Sequence, residues 1–183
     1  MAQAAAKEEL VGDELPTEQQ VREKFDENVA ADKETFDETP AMYESNINSG
    51  TPVYYTPEGV RMVRQVLIAI EEDAKNAIQL LRSEGYDKSA DMLLEAALAA
   101  IKEKTEEIHA KITNDELSFE EAIKEYNEDP GQPEDGYPVA EGSTTYMEAF
   151  TKGAMEIESL GQVSGLVGTD YGYHIIEYHK DLE

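Results

Sequence analysis

The spacing of apolar residues divides the chain into short blocks of different period. "LPTEQQVREKFDENV" sets Val21, Phe25 and Val29 at i, i+4 and i+8, the repeat of one apolar helix face. Thr17 and Gln20, just after Pro16, have the spacing of a capping box, so the helix is predicted to start there. Residues 37–59 are broken by Pro40, Pro52, Pro57 and two glycines, which predicts a short helix near 41–48 and then an extended connector. "VRMVRQVLIAI" (60–70) is rich in β-branched residues, with an apolar second half, and reads as a central strand. Ala, Leu, Glu and Lys dominate from Glu71 to Lys124; Gly85 interrupts them, giving helices at roughly 71–83 and 87–114. A further helix restarts within 115–129, with Ser118 as cap and Glu121 three residues on.

Beyond Asp129 the pattern changes. Pro130, Gly131, Pro133 and Gly136 form a loop, and "GYPVAEG" predicts a short edge strand containing Pro138. "TTYMEAFTKGAMEI" predicts one more short helix. "GQVSGLVGTDYGYHIIEYHKD" predicts a hairpin with strands at about 163–168 and 172–179. The order β, helices, β, helix, hairpin lacks regular βαβ alternation. It predicts an α+β domain with a small, mostly antiparallel four-stranded sheet. Residues 1–14 read as a flexible tail, and 15–56 as a helical extension that buries too little to be a domain by itself.

Charge narrows the partners. Against 15 Lys and Arg stand 41 Asp and Glu, a formal net charge of −26. Nucleic acid and anionic lipid bind through cations that neutralise phosphate, so neither is an expected partner. The chain has no cysteine, which removes disulfides, thiolate metal sites and a Cys nucleophile. No calcium loop of the D-x-[DN]-x-[DN]-G type occurs. No apolar run has the roughly 18 residues needed to span a bilayer. "MAQAAAKEEL" lacks the basic and apolar regions of an export signal, so the expectation is a cytosolic protein or an exported one whose signal is absent from this chain.

One histidine, His174, sits among aromatic and β-branched residues in "LVGTDYGYHIIEY", while His109 and His179 have charged neighbours. From spacing alone it is a core residue or part of a site. The surrounding motifs resemble the parvulin, or rotamase, class of peptidyl-prolyl isomerases. In family order come "FEEAIKEYNEDPG", a glycine-containing "DGYPV", "YMEAF", and "IESLGQVSGLVGTDYGYHII"; the last is similar to L-x-x-G-x-[VI]-S-x-x-V-x-T-x-x-G-x-H-I-I. Upstream, "VRQVLI" stands where the family's first strand reads R-H-I-L-V, so Gln65 occupies the place of a histidine. The stretch between that strand and Phe119 is longer than in a minimal parvulin, and about 71–96 reads as a helical insertion within a parvulin-type domain at 57–183. With the helical N-terminal region, this arrangement resembles extracellular PrsA-type foldases of Gram-positive bacteria and, more loosely, the chaperone SurA.

The resemblance implies a mechanism without cofactor or metal. Isomerising an X–Pro bond takes tens to hundreds of seconds unaided, because amide resonance must be broken across ~18–20 kcal/mol. A twisted amide has less charge separation than a planar one, so a dry apolar pocket favours it. Carried over by motif, Tyr146 and Phe150 line the proline pocket, with Pro138 or Val139 as a third wall and Met155 nearby. Asp129 faces the carbonyl that twists. His174, near Thr169 and Tyr171, is the surviving half of a histidine pair; Gln65 can still hydrogen-bond there but cannot titrate. Each has a plainer reading: core packing for Tyr146 and Phe150, a turn residue for Asp129. The resemblance implies an extracytoplasmic isomerase acting on unfolded or proline-containing polypeptides, with weakened or retuned activity. The alternatives are a chaperone module with vestigial activity, and a cytosolic isomerase.

Overall fold

Four antiparallel strands form one sheet in the order β2–β1–β4–β3. They are β1 (Val60–Ala69), β2 (Tyr137–Ala140), β3 (Val167–Thr169) and β4 (Gly172–Asp181). The computed structural model describes residues 15–182; the expected tail at 1–14, with its bearing on export, lies outside the described residues. Six helices accompany the sheet among the described residues: α1 (Glu18–Glu38), α2 (Pro40–Ser49), α3 (Glu72–Ser83), α4 (Asp87–Thr113), α5 (Phe119–Tyr126) and α6 (Glu148–Met155). The fold is the expected α+β, parvulin-like arrangement.

β1 is apolar on both sides because both its faces are covered. Side chains alternate along a strand, so Val66 and Ile68 share one face with Ile175. That face packs on Ile108 and Ile112 of α4 and Phe119 and Ala122 of α5. Val63 faces the other way, with Ile176 and Tyr178, and packs on Val139 and on Phe150 and Ala154 of α6. Gln65 and Leu67 fall on this second face by the same alternation, and so does His174, which pairs with Leu67. Gln65 pairs with Ile176, so Gln65 and His174 are diagonal neighbours within side-chain reach.

The helices start where the sequence indicates. Thr17–Gln20 and Ser118–Glu121 both form complete capping boxes. Two expectations need adjustment. The predicted first hairpin strand at 163–168 is regular only over Val167–Thr169, with a lone bridge from Val163 to Glu177. Ser164 intervenes, its hydroxyl taking the Ile176 N–H at 3.0 Å in place of a strand carbonyl. The helix sought within 115–129 stops at Tyr126, because Asn127 turns back to bond β1. The apolar face of α1 is largely open: Val21 and Phe25 are 55% and 51% exposed, and Phe25 meets Tyr54 edge-on. The helix reaches the protein body near its C-terminal end, where Phe36 joins Tyr43, Val60 and Ala140.

The region expected as an insertion forms a helical hairpin. Ile78 of α3 and Ala90 of α4 bury against Ile70, with Leu93, Leu94 and Leu98 packed around them. Arg82 ties this hairpin to the β3–β4 turn by a two-pronged ion pair with Asp170, at 2.5 and 2.9 Å. α4 then continues past the expected boundary to cover the sheet with its second half.

Two glycines make close approaches that no side chain permits. A Cβ on Gly136 (φ 85°) would lie 2.2 Å from the Val63 carbonyl oxygen, and one on Gly172 (φ 145°) 2.1 Å from that of Ile68. Gly172→Ala is expected to lower unfolding stability by more than about 2 kcal/mol, because backbone rather than a flexible side chain must yield. Urea denaturation measures this; Gly85→Ala is the comparison, since its positive φ adds strain without a clash.

Candidate active site

The site begins with a gap in the sheet. β2 pairs only with Val60–Val63, leaving the N–H groups of Gln65, Leu67 and Ala69 without a strand partner on that edge. Orphaned backbone donors must find partners. The loop after α5 supplies them from side chains: Gln132 Oε1 accepts from Gln65 N at 2.8 Å, Asn127 Oδ1 from Leu67 N at 2.9 Å, and Glu128 Oε2 from Ala69 N at 2.7 Å. Glu128 N in turn donates to the Leu67 carbonyl at 2.9 Å. Laid along β1 in this way, the loop sets Asp129 beside the Gln65 side chain.

From Asp129 a single line of hydrogen bonds runs into the sheet. Gln65 Nε2 donates to Asp129 Oδ2 at 2.7 Å. Gln65 Oε1 bonds His174 Nδ1, and His174 Nε2 lies 2.7 Å from Thr169 Oγ1. The direction of the line follows from valence. A carboxylate only accepts, so the Gln65 amide turns its NH2 to Asp129 and its oxygen to the histidine. His174 must then carry its proton on Nδ1, which leaves Nε2 to accept from the Thr169 hydroxyl. Thr169 Oγ1 itself accepts from Tyr171 N at 3.2 Å. Gln65 and His174 are 5% and 6% exposed, and burial pushes the imidazole down to about 4, against a smaller upward pull from Asp129. The ring is therefore neutral at physiological pH, as the single direction requires.

Above this line lies a cleft of about 440 Å3. Asp129, Gln65 and His174 reach its floor, and its walls include Tyr137, Tyr146 and Phe150. The aromatics form a chain of contacts. Tyr137 meets Tyr146 at 5.6 Å between ring centroids, Tyr146 meets Phe150 at 5.5 Å, and Phe150 meets the His174 ring edge-on at 5.2 Å. Burial raises the Tyr146 phenol to about 12, so it stays neutral. Asp129 accepts two more bonds, from the Tyr137 hydroxyl at 2.8 Å and from Gly131 N at 2.9 Å.

Among the residues singled out from the sequence, Asp129, His174, Gln65, Tyr146, Phe150 and Tyr171 meet at the cleft. Thr169 lies behind it as the partner of His174. Pro138, Val139 and Met155 do not line it. Val139 is fully buried beneath Phe150, Pro138 falls on the opposite face of β2, and Met155 borders a separate cavity with Arg61. The third wall is Tyr137, which sequence reading missed, together with Asn127 and Gln132. Strand alternation could have found Tyr137: it lies two residues from the inward-facing Val139. Asn127 and Gln132 look like ordinary loop residues, and their signal exists only in the unpaired β1 edge.

Depressing the His174 pKa makes stability depend on pH. The unfolded chain takes up this proton near pH 6.5 and the folded one only near 4, so stability falls as pH drops through that window. The difference in unfolding free energy between wild type and His174→Gln is expected to narrow by about 3 kcal/mol from pH 7 to pH 4. Urea titrations at several pH values measure it.

Comparison with known proteins gives the family. The rotamase model, the PPIC-type PPIASE domain, matches residues 86–180. Foldase protein PrsA 2 of Listeria innocua is 32% identical over 113 residues, 61% of this chain and 38% of that protein. Foldase protein PrsA of Geobacillus kaustophilus is 34% identical over 111 residues, 60% of this chain and 38% of that one. Chaperone SurA of Salmonella choleraesuis is 32% identical over 74 residues, 40% of this chain and 17% of its own. The solution structure of TbPIN1 aligns with a TM-score of 0.44 at 20% identity, covering 66% of this chain and 96% of that one. The aligned regions thus span well under half of the foldases they match. The rotamase match covers just over half of this chain, and the chain belongs to the rotamase family of PPIC-type domains.

Proposed function

We propose that the protein is a peptidyl-prolyl cis–trans isomerase that assists the folding of polypeptides outside the cytoplasm. The observation that carries this reading is the aromatic cleft with one carboxylate, Asp129, fixed at its floor by Gln65, Tyr137 and Gly131. A planar amide owes its barrier to a resonance form with negative charge on oxygen. A carboxylate facing that oxygen disfavours the form, while Tyr146 and Phe150 hold the proline ring away from water. Both effects lower the energy of the twisted amide relative to the planar one, and each ~1.4 kcal/mol gives a tenfold faster rate.

Within this reading, Gln65 replaces the titrating function of a histidine by a fixed amide dipole. It keeps Asp129 positioned and hydrogen-bonded, which supports retained activity. Residues 57–183 serve as the isomerase domain, with the α3–α4 hairpin as an insertion near 71–96 and 15–56 as its helical extension. Clients are unfolded or proline-containing chains, and likeness to the PrsA foldases supports a place outside the cytoplasm. Among the described residues, no helix is long and apolar enough to cross a membrane. A second reading, a client-holding module with little turnover, draws on the open apolar face of Val21 and Phe25.

A protease-coupled assay on short X–Pro peptides tests the proposal. Wild type is expected to exceed the uncatalysed rate clearly, and Asp129→Ala to lose about tenfold or more in kcat/KM. Gln65→His is expected to stay active with a new pH dependence. An inactive wild type that still suppresses aggregation of an unfolded client would favour the holding module instead.

A further inference from the structure

The N-terminal helices do more than extend the domain. One face of α2 carries Glu44 and Asn48, a single turn apart, and both reach the 141–147 loop that brings Tyr146 to the cleft. Glu44 is fully buried, yet it is not lost among apolar groups. Its Oε2 accepts from Ala140 N at 3.1 Å, which closes the end of β2, and its Oε1 accepts from the Ser143 hydroxyl at 2.6 Å. Ser143 Oγ accepts in turn from Thr145 N at 3.2 Å. Asn48 Nδ2 donates to the Tyr146 hydroxyl at 3.2 Å. Two side chains of one helix thus hold the beginning and the end of the loop, and Thr144, Thr145 and Tyr146 between them line the cleft.

We infer that α2 is a positioning element of the active cleft, and that Glu44 and Asn48 are positioning residues for its Tyr146 wall. Tyr146 precedes α6, whose N-cap is Met147, so its own backbone lies outside any helix of the domain. The Tyr137 and Phe150 contacts set its tilt, while Asn48 holds its hydroxyl and Glu44, through Ser143, holds the loop at Thr145 just before it. Any partner that lifts α1 and α2 off the Phe36–Tyr43–Val60–Ala140 contact also releases that wall. The N-terminal segment and the cleft are therefore energetically coupled, and coupling between two sites acts in both directions. The inference rests on the isomerase reading for its consequence in catalysis, but not for the anchoring itself.

The test separates the two. Asn48 is exposed, so Asn48→Ala removes its bond to Tyr146 with little risk to folding. Amide hydrogen exchange at Thr145 and NMR titration with succinyl-Ala-Ala-Pro-Phe are measured for wild type, Asn48→Ala, Glu44→Ala and Glu44→Gln. Asn48→Ala is expected to weaken peptide binding about three- to tenfold at unchanged Tm, the scale of one hydrogen bond. Glu44→Ala is expected to speed Thr145 exchange and weaken binding further. Glu44→Gln is expected to restore both, since its oxygen can meet Ala140 N and its NH2 the free lone pair of Ser143. Unchanged exchange and affinity in Asn48→Ala and Glu44→Ala would overturn the inference, as would a loss that Glu44→Gln fails to recover. If wild type binds the peptide but does not isomerise it, the isomerase reading fails, and these same measurements still decide whether α2 holds the wall.

Discussion

The buried contact between Gln65 and His174 is the constraint around which the site is arranged. Two polar side chains on the interior face of a sheet are tolerable only if each donor and acceptor is matched, since an unpaired buried polar group costs about 1–3 kcal/mol. Here each side-chain nitrogen and oxygen of the pair has a partner, and the bond directions have one solution. The carboxylate of Asp129 fixes the orientation of the Gln65 amide, the amide fixes the tautomer of His174, and the tautomer makes Thr169 a donor. A slip of one residue between β1 and β4 would turn Gln65 and His174 to opposite faces of the sheet. The hydrogen-bond line is therefore also a register lock. A carboxylate at its open end gains from it a defined place at the floor of an otherwise apolar cleft.

The shortness of β2 has a matching consequence. A longer edge strand would pair all of β1 and leave no opening for the 127–132 loop. By stopping at Tyr137, β2 leaves backbone N–H groups that two side-chain amides and a carboxylate satisfy, and the loop that supplies them delivers Asp129. β2 also delivers Tyr137, whose hydroxyl closes on the same carboxylate. The geometry of the cleft floor thus follows from strand lengths and from the rule that backbone donors do not stay unpaired. On the far side, α4 and α5 press Ile108, Ile112 and Phe119 against the sheet and give it a rigid back.

Much of this was readable in the chain. Period and punctuation placed every strand of the sheet to within a few residues, and the two capping boxes marked where α1 and α5 begin. Asp129 and His174 stand out by matching residue types of the family pattern, and Gln65 by standing where that pattern has a histidine. What escaped was set by distant backbone. Tyr137 shares the face of Val139 by strand alternation, but its place beside Asp129 follows from the pairing Val63↔Tyr137 and the loop laid along β1. Asn127 and Gln132 answer donors on β1 that no local pattern reveals. The chain likewise does not show that the face of α1 stays open: apolar spacing tells which residues share a side, not whether anything lies against it.

Extension and domain also share one structure at the cleft's rim, where α2 meets the loop before α6. A foldase that held a client with its N-terminal helices would thereby act on the wall of its own active site. All of this depends on a neutral His174 whose proton points to Gln65. Side-chain 15N NMR at pH 7 measures that most directly. The account predicts a neutral imidazole protonated on Nδ1, persisting until the pH approaches about 4. An imidazolium at pH 7, or a ring protonated on Nε2, would contradict it.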